Sequence, residues 1–184
     1  MLARAEIAAG LALEPIAPPA FLRAGADWAD AAGLPDEALA KRRVRLDATR
    51  ALGTLGDPAA KEPLHRIMTR FLMPWADRLQ AAAALCALDD PRGAAYLVHK
   101  VMSRRLAERA AAIHFLGESR HPEARLLLEA LLANAREPMR DVAARSLGML
   151  GDAAAKPALE SALVTATGEL DEDIREAMAR LGAS

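Results

Sequence analysis

The chain has 184 residues, a formal net charge of −1 and a single cysteine, Cys86. That balance excludes a global electrostatic pull toward nucleic acid or an anionic membrane, and one thiol excludes an internal disulfide framework. Hydrophobic residues make up 53% of the chain but aromatics only 3%, so the apolar mass is Ala and Leu, which favour closely packed helices. Residues 1–41 fit no long helix, because Pro15, Pro18, Pro19 and Pro35 interrupt them. Leu11, Leu13, Ile16, Phe21, Leu22 and Trp28 are too numerous for a free tail, so the stretch is expected to cap the end of a helical stack. Glu6 falls where a signal peptide needs an apolar run, and no apolar stretch approaches the ~20 residues of a membrane helix. A cytoplasmic protein without membrane partners is expected.

From residue 42 onward the chain repeats itself. The segment VRLDATRALGTLGDPAAKEPL from Val44 is echoed from Asp77, Ala107 and Arg140, and a half-length copy, DIREAMARLGAS, closes the series. Anchored on a helix-ending Leu, the copies align at Leu55, Leu88, Leu116, Leu150 and Leu181. Before each anchor, small or apolar residues recur at three- and four-residue steps, as in Ala48, Ala51, Leu52 and Leu55. Gly56, Gly117 and Gly151 then read as helix stops. The acids Asp57, Asp90, Glu118 and Asp152, two of them followed by Pro58 or Pro91, read as caps of the next helix.

The spacing therefore predicts A helices at about 42–55, 76–88, 105–117, 138–150 and 170–182. B helices are predicted near 58–72, 91–104, 121–134 and 153–166. The repeats fall at about 42–72, 76–104, 105–134 and 138–166, with a half-repeat over 170–184. A lone pair this short cannot bury its apolar face, but stacked neighbours can. The predicted fold class is all-α: a right-handed α-solenoid of antiparallel helix pairs, forming one domain.

The pattern R-x-x-A-x-x-A-L-G-x-L-G-D-P-x-A followed by an apolar helix resembles the short HEAT repeats of the phycobilisome-lyase type, over roughly residues 42–184. That family includes bilin-attaching lyases, di-iron hydroxylases with His-Glu pairs at repeat ends, and many adaptors and scaffolds. Here the pairs are His65-Arg66, His99-Lys100, His114-Phe115 and His121-Pro122, so the resemblance implies no di-iron site. With so few aromatics, a stacking pocket for a tetrapyrrole is thinly furnished.

Phosphate-cradle, zinc and nucleophile-elbow motifs are absent from the sequence. Cys86, among Ala and Leu, reads as a buried small hydrophobe, and the turn acids read as caps. Lys41-Arg-Arg-Val-Arg45 reads as the solvated start of a helix. Arg45, Arg78 and Arg140 each stand ten residues before an anchor and are expected to bridge to an acid at a neighbouring turn, worth under ~1 kcal/mol if exposed.

In such solenoids the B helices line the concave side, whose outward positions suit a partner. These are Pro63, Arg66 and Arg70, then Tyr96, His99 and Ser103, flanked by Lys100 and Arg104. Leu126, Glu129 and Ala133 come next, and then Ala158, Ser161 and Thr165. The candidate binding residues are thus Arg66, Arg70, Tyr96, His99, Lys100, Ser103, Arg104 and Glu129. A groove basic at one end suits a peptide acidic at one end. The expectation is a non-enzymatic protein-binding scaffold or adaptor without cofactor or metal; the alternative is a bilin-lyase-like, tetrapyrrole-handling protein.

Overall fold

The computed structural model describes residues 36–182, apart from Arg120 and Pro122. Most of the N-terminal cap expected for residues 1–41 lies outside the described residues. Its last six residues belong to the first helix, where Glu37 and Lys41 pair one turn apart at 2.6 Å. The described residues form nine α-helices and no strand. They are α1 (Asp36–Thr54), α2 (Lys61–Thr69), α3 (Trp75–Ala87), α4 (Pro91–Lys100) and α5 (Leu106–Glu118). After these come α6 (Ala124–Ala133), α7 (Arg140–Leu150), α8 (Lys156–Leu163) and α9 (Glu169–Gly182). A 3-10 turn leads into α2 and another into α8. None of these helices is long and apolar enough to cross a membrane.

The odd-numbered helices pack in chain order, α1 on α3, α3 on α5, α5 on α7 and α7 on α9. Among the even-numbered B helices, α2 packs on α3, α4 lies against α3 and α5, α6 against α5 and α7, and α8 against α6 and α9. The hairpins thus lie side by side, and the fold is an α-solenoid with a continuous interior. Leu64, Leu79, Leu97, Ile113, Leu128, Leu147, Leu159 and Ile174 are wholly buried in it.

Small residues let the A helices touch. A Cβ built on Gly53 would stand 2.8 Å from the Ala84 Cα, and one on Gly148 would stand 2.8 Å from the Ala177 Cα. A Cβ on Gly117 would meet the Cα, Cβ and carbonyl oxygen of Ser146, all at 2.8 Å. Backbone therefore rests on backbone at these joints, and only glycine fits.

These contacts correct the sequence alignment. Gly117 is not a helix stop: it lies inside α5 and faces Ser146, as Gly148 faces Ala177. The third anchor is therefore Ser119, not Leu116, and the repeat steps become 33, 31, 31 and 31 residues. Glu118 is not a cap either; its carboxylate lies 3.5 Å from His114. His121 takes the capping place, its Nδ1 accepting from the Glu123 N–H at 3.3 Å. Asp57, Asp90 and Asp152 cap as expected, accepting from Ala59, Arg92 and Ala154 at 2.8, 3.0 and 2.9 Å. Gly56 and Gly151 take left-handed φ of 70° and 73°, and Asp89 adopts φ 54° in the same place.

The B helices are shorter than expected. The first ends at Thr69 because Arg70 is extended, and the second ends at Lys100, leaving Ser103 and Arg104 in a turn.

Candidate functional site

The expected binding residues divide into two groups. Arg66, in the last turn of α2, and Arg70, just beyond it, are exposed; so are His99 near the end of α4 and Arg104 in the following turn. The others face inward or are committed to neighbours. Tyr96 is half-buried, with the Arg78 guanidinium 5.4 Å and the Lys100 ammonium 5.5 Å from its ring centre.

Lys100 lies 2.8 Å from the buried Glu108 at the start of α5, and the Ser103 hydroxyl donates to the same carboxylate at 2.7 Å. Burial pushes the Glu108 carboxyl up, but the bonds from Lys100 and Ser103 outweigh it and leave it below the usual carboxylate range. Lys100, Ser103 and Tyr96 therefore hold α4 to its neighbours and are not open to a ligand. The sequence reading missed Glu108, the acid that gathers them.

Glu129 is also committed. Arg125 bridges it at 2.8 Å and reaches Asp152 of the next turn at 2.9 Å. With the anchor moved to Ser119, Ala130 rather than Glu129 aligns with Arg66 and His99 along the B-helix row. Similar ties cross other joints: Arg92 joins Glu62 at 2.8 Å, and Arg145 joins Asp173 at 3.0 Å.

The repeated arginine is structural, and its row includes Arg109, which the misplaced anchor concealed. Arg45 pairs with the buried Asp77 and Arg109 with the buried Glu137. Arg78 and Arg140 instead donate to the Met68 and Leu132 carbonyls at 2.9 and 2.8 Å, closing the ends of α2 and α6. An acid at a neighbouring helix start was expected in every copy; in two of them the partner is a helix-end carbonyl.

A cleft of about 210 Å³ opens beside the third turn, lined by Cys86, Asp89, Asp90, Pro91, Ala94, Ser119 and His121. Its polar groups are engaged. Asp90 caps α4 and binds Arg92 at 2.8 Å, and the Ser119 hydroxyl donates to the Leu116 carbonyl at 2.7 Å. Burial, with Asp90 adding to it, pushes the Cys86 thiol up to about 12, so it stays protonated at neutral pH. No three His, Cys, Asp or Glu side chains among the described residues are grouped to hold a metal ion.

The search of curated proteins gives no match to this sequence. Among solved structures, human deoxyhypusine hydroxylase in complex with glycerol matches at 16% identity and a TM-score of 0.38, covering 76% of this chain and 80% of that one. Residues 103–180 match the HEAT repeats family and residues 44–69 the PBS lyase HEAT-like repeat. With its hairpins stacked in sequence order, the chain belongs to the HEAT-like repeat proteins.

Proposed function

We propose that this chain is a non-enzymatic cytoplasmic scaffold that docks an acidic segment of another protein along the B-helix side of its stack. HEAT repeats mediate protein interactions, and the repeat architecture supports that class of role. The observation that carries the proposal is an imbalance of pairing. Glu62, Glu108, Glu129 and Glu137 are each held by a cation of the chain. Arg66, Arg70 and Arg104 are exposed and form no ion pair among the described residues. His99 stands exposed between them. Unpaired cations of this kind raise association rates and select acidic partners. The protonated, buried Cys86 supports the non-enzymatic part of the proposal.

The test is capture from a lysate of the native host on the immobilised chain. Proteins retained by the wild type are expected to be lost with Arg66→Glu combined with Arg70→Glu. An unchanged set of captured proteins would show that this side of the stack is not the binding surface.

A further inference from the structure

We infer that the edge formed by the turns from each B helix to the next A helix docks an acidic amphipathic helix bearing an apolar residue at every seventh position. This rests on the protein-binding function proposed above. It supplies the partner's chemistry and moves the main contact from the B-helix faces to their ends.

Antiparallel pairing places all these turns on one edge. Phe71, Met102, Ala133 and Val164 occur there at steps of 31 residues. Each stands in or just before its turn and is exposed, Phe71 at 90%, Met102 at 73% and Val164 at 84%. Leu72 and Leu106 add to this surface, while Met68, Val101 and Leu132 close by are buried. The core is already filled beneath the edge, so the row faces outward with no helix of the described chain upon it. Contiguous exposed apolar surface marks an interaction site.

The same edge is basic through its first three turns. Arg70, Arg104, Arg105 and Arg136 are exposed there and form no ion pair among the described residues. The opposite edge carries Asp57, Asp89, Glu118, Glu123 and Asp152. The near-zero net charge thus conceals a division of sign between the two edges.

Neighbouring packed helices stand about 8–10 Å apart. Seven residues of an α-helix rise about 10.5 Å. A helix laid along the edge therefore presents one apolar anchor per repeat, with flanking Asp or Glu facing the arginines. Ala133 leaves a shallow step that admits a larger anchor than the others. A flat anionic lipid surface suits the edge less well, since the exposed Glu169 and Glu172 at the start of α9 would face it too.

The probe is a fluorescein-labelled synthetic helix with Leu at every seventh position and Glu beside each Leu, titrated with the full-length chain and read by anisotropy. Binding is expected to weaken at least tenfold for Phe71→Ser with Leu72→Ser, and for Arg104→Glu with Arg105→Glu. A peptide with Ala for Leu should bind at least tenfold more weakly than its parent. Arg66→Glu, away from the edge, should leave peptide affinity within twofold. In hydroxyl-radical footprinting, Phe71 and Met102 are expected to be oxidised in the free chain and shielded by the peptide.

Failure of the peptide to bind, or equal binding by the edge variants, overturns the inference. Peptide binding lost only in Arg66→Glu also overturns it, while leaving the protein-binding function standing. Three other results assign the edge to another occupant and likewise refute it: binding to phosphatidylserine vesicles abolished by the edge variants, a dimer that becomes monomeric in Phe71→Ser with Leu72→Ser, or footprinting protection in the free monomer, which points to residues 1–35.

Discussion

Substituting Gly117 by Ala sets helix propensity directly against packing. Taken alone, Gly→Ala inside a helix is worth about 1 kcal/mol in favour of folding. At this position, however, the new Cβ would lie 2.8 Å from the Ser146 Cα, Cβ and carbonyl oxygen at once. Two of those atoms are backbone, so no rotamer change relieves the contact, and α5 and α7 must part by several tenths of an ångström. Overpacking typically costs about 1–3 kcal/mol, and a backbone clash between two central helices belongs at about 3 kcal/mol. The net expectation is a destabilisation of about 2 kcal/mol. For a chain of this size that lowers the melting temperature by about 4–8 °C. Circular dichroism at 222 nm during thermal and urea unfolding provides the measurement. Gly182→Ala is the control, because a Cβ there meets nothing within 4 Å. If Gly117→Ala melts at or above the wild type, propensity has won and the close approach of α5 to α7 is refuted.

Ser146 is wholly buried and its hydroxyl has no hydrogen-bond partner, while Ala occupies the matching positions 84 and 177. Ser146→Ala is therefore expected to raise urea stability by about 1 kcal/mol; a loss would show that the hydroxyl is satisfied in solution. Asp90 provides a pH test. The hydrogen bond from Arg92 holds its carboxyl below the ordinary value of 3.8 in the folded chain. Its contribution is complete above the unfolded value and lost as pH falls through the lower folded one. Asp90→Asn keeps a capping oxygen but loses the ion pair, so it should cost about 1 kcal/mol at neutral pH. The two proteins should become equally stable near pH 2 in urea titrations, and a difference that persists there refutes the assignment.

The fold was legible because its evidence is periodic and local. Asp57-Pro58 and Asp90-Pro91 announce B helices by capping chemistry that needs no tertiary context. The third repeat misled because Gly117 has two readings, a left-handed helix end or a contact point inside a helix, and composition alone does not separate them. Arg109 offered a clue, standing 31 residues from both Arg78 and Arg140. His121 was overlooked because imidazole is an unusual cap, although Pro122 comes after it as Pro58 comes after Asp57.

The candidate surface was legible only in part. Outward register located Arg66, Arg70, His99 and Arg104, because exposure follows helix geometry. It could not show that Lys100 and Ser103 are spent on Glu108, since that depends on how the turn between α4 and α5 folds back.

The shared step of 31 residues also governs how such a chain can change length. Losing residues 118–148 would bring Met149 directly after Gly117, so that this glycine inherits the place of Gly148 opposite Ala177. Every remaining face would keep its match. A deletion of any nearby size would rotate α7 by about 100° for each residue of error, turning its apolar side out to water. Length in this architecture is quantised, and insertions or losses are expected to survive in whole rungs.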